Sequence, residues 1–143
     1  MRRRIPLVLA LVALALPAAA VAGRRVIHGP AGTGSGTVDI TLFTSKKTGA
    51  VKKLTRFEFN NIHATCAGFP PTAVSGRFPH TIRVRSDGTF HASVKQNGGR
   101  VTYTVRGHFK NQNHASGKLR VRGAVPGCGR ADTGTVRWSA KHN

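Results

Sequence analysis

The chain has 143 residues, with 23 Lys and Arg against four Asp and Glu, and a formal net charge of +19. This length fits one domain, and the shortage of carboxylates argues against enzymes that depend on paired acids. The positive balance favours association with polyanions such as nucleic acid, anionic lipid, acidic glycans and wall polymers. The alternative is a generally basic surface that has no ligand.

The first 22 residues have the pattern of a secretory signal peptide. Three arginines at positions 2–4 precede an apolar run over residues 5–16, and Ala20-Val21-Ala22 forms a cleavage motif before Gly23. The run is shorter than the roughly 20 residues that cross a bilayer. We expect export by the general route, with the twin-arginine route as the alternative, to give a secreted or cell-envelope-associated chain without a transmembrane segment. Losing the three arginines leaves 20 basic residues against four acids, a net charge of +16.

The segment directly after the cleavage motif is predicted to be a flexible lead. Residues 23–36 include the run GPAGTGSG at positions 29–36, and glycines in this number oppose packed structure. From residue 37 to residue 143 we expect a single all-β domain, because short alternating apolar runs are separated by Gly, Asn, Asp and Pro. About eight strands with regularly spaced turns predict an antiparallel sandwich or a small barrel.

Alternating apolar residues mark strands near both ends of this domain. A second strand is expected at Phe57 and Phe59, and a short third strand over residues 72–78. The positions predicted to face the core from the first and last strands are Val38, Ile40 and Leu42, then Val136, Trp138 and Ala140.

A hairpin is predicted in the middle of the chain. Asn97-Gly98 is the preferred pair for a two-residue type I′ turn, in which both residues have positive φ. This turn would place Val94 opposite Val101. The pairs that follow in the same register are Ala92 with Tyr103 and Phe90 with Val105, and all are apolar.

Two further turns would extend this hairpin to a four-stranded meander. A three-residue loop over residues 86–88 would pair Val84 with Phe90 and would give Gly88 the left-handed position that favours glycine. Downstream, polar residues 110–114 would return the chain. The pairs expected across that return are Phe109 with Ala115, Val105 with Leu119, and Tyr103 with Val121.

Side-chain parity in these registers places basic residues on the outer face of the meander. Arg106 would lie opposite Lys118 and Arg83 opposite His91, and like-charged pairs destabilise a sheet by roughly a few tenths of a kcal/mol each unless anions offset them. The residues predicted to point away from the apolar side are Arg83, Arg85, His91, Lys95, Arg100, Arg106, His108, Lys118, Arg120 and Arg122. The expected binding residues for an anionic polymer or surface are Arg83, Arg85, Arg106, Lys118, Arg120 and Arg122.

The aromatic residues argue against specific recognition of nucleic acid. Phe90, Tyr103 and Phe109 fall on the apolar face of the meander, and Trp138 is expected in the core. None of them is therefore available for base stacking. The charge by itself predicts only an unspecific, salt-sensitive association.

Cys66 and Cys128 are the two cysteines of the chain. In an oxidising compartment each has the other as its one possible partner, and the bond would stabilise the fold by about 4 kcal/mol on the chain-entropy model. The alternative is a metal site, because His63 and Cys66 have ligand-like spacing, but no matching pair occurs near Cys128. We predict the disulfide.

No pattern predicts catalysis, a metal or a cofactor. The four carboxylates show no spacing for shared acid–base work, and two of them are assigned to a turn and a loop: Asp39, Glu58, Asp87 (turn) and Asp132 (loop). The seven histidines lack HxH or HExxH spacing, and the serines lack a nucleophile elbow. We therefore expect a protein that is not an enzyme and needs no cofactor.

The C-terminal third contains a regular series of small and apolar residues. Residues 115–121 read ASGKLRV, Cys128 follows, residues 133–140 read TGTVRWSA, and Phe109 and Cys66 fit the upstream end. The series resembles a pattern of small exported β-rich actinobacterial proteins of unassigned function. The resemblance implies a β-rich fold, export and a bond between the two cysteines, but it implies no activity, and the basic central strands are not part of it.

Composition and parity together favour a secreted, non-catalytic β domain that associates electrostatically with anionic polymers or cell-envelope surfaces. The alternative is a structural or protein–protein interaction domain whose basic charge is incidental. A third class, a hydrolase of an acidic polymer, is disfavoured by the missing carboxylate pair.

Overall fold

The computed structural model describes residues 23–143, so the predicted signal peptide lies outside the described residues. The described chain forms ten β-strands, which are β1 (Arg24–Pro30), β2 (Thr37–Thr44), β3 (Val51–Cys66), β4 (Phe69–Arg77), β5 (Ile82–Arg83), β6 (Thr89–Gln96), β7 (Val101–Asn111), β8 (His114–Val125), β9 (Gly129–Asp132) and β10 (Val136–Lys141). Within residues 23–143 there is no helix with the length and apolar character needed to cross a membrane.

Six of these strands close an antiparallel barrel in the order β1, β2, β3, β9, β8 and β10. The barrel closes because β10 pairs with β8 on one side and meets β1 on the other, where His28 lies opposite Lys141. The remaining strands extend from this ring. β4 and β5 pair with β3, while β7 pairs with β8 and β6 with β7. The expected all-β fold is confirmed, as a barrel with four added strands.

The predicted flexible lead is wrong, because residues 24–30 form the first barrel strand. β1 pairs with β2 along its whole length, and Ile27 is fully buried. A Cβ on Gly29 would lie 2.0 Å from the carbonyl oxygen of Ser139 in β10. Gly29 therefore allows the strands to approach closely at the barrel seam, and the domain begins at β1 rather than at residue 37.

The alternating apolar positions face the core as predicted, and aromatic rings join the barrel to the added strands. Phe57 packs edge-on against Trp138 at 5.5 Å between ring centroids, and Trp138 lies 6.1 Å from Phe90 of β6. Gly107 and Gly117 lie opposite each other between these two rings. A Cβ on Gly107 would come within 2.6 Å of Phe90 and 2.8 Å of Trp138, so the glycines provide the space in which the rings pack.

The turn at Asn97 and Gly98 has the predicted backbone but a different register. Both residues have positive φ, of 52° and 67°, as expected for a type I′ turn. The loop has four residues rather than two, because Gln96 pairs with Val101. Val94 therefore faces Tyr103, and Ala92 faces Val105, so the three predicted pairs are wrong by two positions. A shift of two leaves every side chain on its predicted face.

The neighbouring turns gave one wrong pairing and one correct one. The loop over residues 86–88 forms, with Gly88 at a φ of 83°. The strand before this loop, β5, pairs with β3 and not with β6. Val84 therefore does not pair with Phe90, and its N–H donates to Lys52. The pairs across the downstream return are as predicted: Phe109 with Ala115, Val105 with Leu119, and Tyr103 with Val121.

The predicted disulfide is present between Cys66 and Cys128, whose Cα atoms lie 5.0 Å apart. It joins the end of β3 to the turn between β8 and β9. The alternative metal site is wrong, because the thiol of Cys66 is consumed by this bond. Among residues 23–143 there is also no group of three or more His, Cys, Asp and Glu arranged to hold a metal ion.

Candidate anion-binding surface

The outer faces of β7 and β8 carry basic and hydroxyl side chains. Arg106 lies directly opposite Lys118, as predicted, and Thr104 and Thr102 lie opposite Arg120 and Arg122. The inward neighbours Val105, Leu119 and Val121 are buried, so the alternation of the strands forces the basic side chains outward.

These side chains line an open depression of about 990 Å³. β6 contributes Lys95, the turn contributes Arg100, and β9 contributes Arg130. Threonine hydroxyls lie between the cations and can donate to or accept from an anionic ligand. The Lys and Arg residues that line it are Lys95, Arg100, Arg106, Lys118, Arg120, Arg122 and Arg130.

The carboxylate of Asp132 also lines this depression, although the residue was predicted to lie in a loop. Asp132 ends β9 opposite Arg122, and its oxygens accept two hydrogen bonds from Arg120, at 2.7 and 3.1 Å. Arg122 lies 3.6 Å from the same carboxylate. No local signal marks this position, because the residue precedes a Thr-Gly pair that is typical of a loop. Only the pairing of β9 with β8 brings it onto the face.

The contacts of Asp132 change the electrostatics of the two side chains that it joins. The hydrogen bonds from Arg120 hold the pKa of Asp132 below its usual range, against the opposing effect of partial burial. The N–H of Gly134, at 2.8 Å, acts in the same direction as Arg120. The same pairing raises the pKa of Arg120. Arg120 is thus oriented by a forked contact, with part of its charge neutralised.

The structure brings together four of the six predicted binding residues, Arg106, Lys118, Arg120 and Arg122, and separates the other two. Arg83 pairs opposite Lys53 because β5 joins β3, so its predicted pairing with His91 is wrong. Arg83 and Arg85 instead line two other hollows, one of about 340 Å³ at the edge of β6 and one of about 1200 Å³ beside β3. Neither lines the depression on β7 and β8.

A straight row of basic side chains crosses four neighbouring strands at one end of the depression. His91 of β6 lies opposite Arg106, Arg106 lies opposite Lys118, and Lys118 lies opposite Arg137 of β10. We call these four residues the cationic row. Arg137 was not among the predicted binding residues. The alternation of β10 points its side chain outward, and the pairing of β10 with β8 places it beside Lys118.

A second row of side chains, which contains acids as well as bases, also begins on β10. Through successive strand pairings Lys141, His28, Asp39, Glu58 and Arg77 follow one another across β10, β1, β2, β3 and β4, and we call this set the balanced row. Asp39 and Glu58 are thus direct neighbours, although their spacing in sequence gives no sign of it. Glu58 contacts Arg56 at 2.6 Å and Arg77 at 3.7 Å, and Asn60 donates to Asp39.

The exposed aromatic and aliphatic side chains lie away from the cationic row. Phe90 and Phe109 are buried, as expected, and Trp138 is 3% exposed. Among residues 23–143 the exposed large apolar side chains are Val26, Phe43 and Phe69, on β1, β2 and β4. The outer face of β6, β7, β8 and β10 is therefore polar and cationic, without a stacking platform.

Residues of the C-terminal sequence pattern occupy β8 and β10, where they determine packing. Leu119, Val121 and Trp138 face the core, and Gly117 lies beneath the indole ring. These positions explain how the two strands fit together, and they identify no ligand. Comparisons with protein families, with curated proteins and with solved structures find no match to the chain.

Proposed function

We propose that this chain is a secreted, non-catalytic β domain that binds anionic polymers or cell-envelope surfaces through the outer face of β7 and β8. The N-terminal signal pattern supports export, and the disulfide is compatible with an oxidising compartment. Association is electrostatic and depends on charge density, not on a specific sequence or sugar.

The observation that carries the proposal is the charge of the depression. Seven Lys and Arg line it, and in the described part of the chain Asp132 is the one carboxylate among the lining residues. Directly opposed cations such as Arg106 and Lys118 cost stability in a free sheet. A bound polyanion offsets that repulsion, and release of its counter-ions provides the driving force.

Retention on polyphosphate and polyuronate resins, compared with neutral dextran, tests this function across a salt series from about 50 to about 200 mM. The protein is expected to bind both anionic resins and to leave them as salt rises. Replacing Arg106 and Arg120 with Gln should weaken binding and reduce the slope of log K against log salt by between about one and about two, since Asp132 already neutralises part of the charge of Arg120.

The matched control is the double variant Lys47→Gln/Lys141→Gln, which loses the same charge. Lys47 is exposed in the turn after β2, and Lys141 belongs to the balanced row. Arg130 is unsuitable as a control because it lines the depression. Equal losses in the two double variants would mean that net charge alone explains retention. Equal retention on charged and neutral resins would instead favour a structural or protein–protein interaction domain.

A further inference from the structure

We infer that the cationic row is the contact line for a linear polyanion, which lies across the strands rather than along them. The inference rests on the proposed function and narrows it to one direction and one set of residues. It assigns Arg137 and His91 to the binding site, beside Arg106 and Lys118. The ligand class is an extended polymer with closely spaced anionic groups.

The spacing of the row supports a linear ligand. Neighbouring strands lie ~4.8 Å apart, so four strands place basic side chains along a line of about 15 Å. Each step along this line is a direct register pair: His91 with Arg106, Arg106 with Lys118, and Lys118 with Arg137. A single small anion reaches one or two of these side chains, whereas a chain of anionic groups reaches all of them.

Ion pairing distinguishes the row from Arg120 and Arg122, which also lie on this face. Arg120 and Arg122 are held by Asp132, so an incoming anion competes there with a carboxylate already in place. The four described ion pairs of residues 23–143 involve none of the members of the cationic row. The row therefore has the stronger need for an external anion.

The surroundings of the row favour a polymer over a lipid surface. Stable attachment to a membrane commonly combines basic residues with apolar side chains that enter the interface. The exposed large apolar side chains of residues 23–143 are Val26, Phe43 and Phe69, and they lie on β1, β2 and β4 rather than on the strands of the row. The row offers charge without such an anchor.

The test measures binding of the full mature chain to orthophosphate, tripolyphosphate and long-chain polyphosphate at fixed salt. Affinity is expected to rise steeply as the polyphosphate lengthens to the roughly 15 Å of the row, and to rise little beyond that length. The double variant Arg106→Gln/Arg137→Gln should lose about tenfold in affinity for long-chain polyphosphate. The charge-matched control Lys47→Gln/Lys141→Gln should lose less than about twofold, since neither residue is in the row.

A second comparison uses one strand and one face. Arg137 and Lys141 both point outward from β10, but only Arg137 belongs to the cationic row. Arg137→Gln should weaken binding about threefold, and Lys141→Gln should leave it unchanged. The charge-neutral variant Arg120→Gln/Asp132→Asn should also retain binding to long-chain polyphosphate, because it leaves the row and the net charge intact.

The possible outcomes separate the inference from the function on which it rests. If the unaltered protein does not bind polyphosphate, the proposed function fails. If it binds, but the row variant loses no more than the control, the function stands and the row is wrong. Binding to phosphatidylglycerol vesicles that matches polyphosphate binding and is insensitive to the row variant would also overturn the inference in favour of a lipid surface.

Discussion

The balanced row and the cationic row differ in the signs of the charges that lie side by side. In the balanced row, Asp39 and Glu58 lie between basic neighbours, and Glu58 makes contacts with two arginines. In the cationic row, Arg106 and Lys118 lie side by side with further basic side chains beyond each of them. Both rows cross antiparallel strands of one sheet, so the difference comes from side-chain choice and not from the fold.

This contrast bears on whether the positive charge is incidental. A chain with four acids has few carboxylates to distribute, and two of them occupy adjacent positions in the balanced row. A third, Asp87, accepts hydrogen bonds from Thr89 within its own turn. Three of the four acids therefore lie away from the cationic row, and the fourth, Asp132, contacts Arg120 on the same outer face. A surface left without carboxylates while others are neutralised is the pattern expected of an anion-binding face.

The largest effect is expected from Gly117→Ala, which disrupts the layer beneath the cationic row. Directly inside the row, Gly117 and Gly107 form a pair on which the ring of Trp138 rests. A Cβ on Gly117 would lie 2.1 Å from the carbonyl oxygen of Arg106, and backbone cannot move aside as a side chain can. We expect a loss of about 3 kcal/mol in the free energy of unfolding, measured by urea denaturation.

Gly34→Ala serves as the matched control for this variant. A Cβ on Gly34 meets no heavy atom within 4 Å, so its replacement should stay within about 0.5 kcal/mol of the unaltered protein. Equal stability of the two variants would show that the fold does not need the close approach of β7 and β8 at Gly117.

A smaller loss is expected from Gly98→Val, which acts on the turn that positions β6 beside β7. Gly98 has a φ of 67° and no neighbour near its absent Cβ, so the cost arises from backbone strain and not from a clash. A β-branched residue in the left-handed region should cost about 1–2 kcal/mol. The measurement compares the thermal unfolding of Gly98→Val with that of Gly34→Val, because Gly34 has no positive φ. Equal unfolding midpoints would contradict the prediction.

Sequence parity predicted which way side chains point, since this depends on the local two-residue period of a strand. Arg106 and Lys118 point outward as predicted, and the apolar residues next to them on the same strands, Val105 and Leu119, point into the core. Even the two-position error at the Asn97 turn left the faces unchanged. The error itself arose because a four-residue loop accommodates the same pair of positive φ angles as a two-residue loop.

Strand neighbours could not be predicted in the same way, because they depend on closure of the barrel. Because β5 pairs with β3, Arg83 lies outside the depression. The pairing of β9 with β8 places Asp132 in the depression, and the pairing of β10 with β8 places Arg137 beside Lys118. No residue local to these segments encodes such long-range contacts. Gly29 is a similar case: its glycine context suggested a flexible lead, but the missing side chain permits the seam between β1 and β10.

The smallest stability effect is expected from Asp132→Asn, which removes the carboxylate nearest the cationic row. Since the folded-state pKa of Asp132 is lowered, its stabilising effect is present above its unfolded pKa and is lost as the pH falls through the folded pKa. The variant should therefore lose less stability than the unaltered protein when acidified below about pH 4. At neutral pH the cost should stay below about 1 kcal/mol, since the pair with Arg120 is partly exposed.

Asp132 and Asp87 are expected to differ in their effect on polyanion affinity. The pKa of Asp87 is lowered mainly by its hydrogen bond from the Thr89 side chain. Asp87→Asn should also reduce the acid dependence of unfolding, but it should leave polyphosphate binding unchanged because Asp87 lies in a turn outside the depression. Asp132→Asn should raise affinity about threefold and increase the salt slope by up to about one, since Arg120 and Arg122 are released to a ligand. Equal binding by both variants would mean that Asp132 does not limit the charge that the depression offers to a ligand.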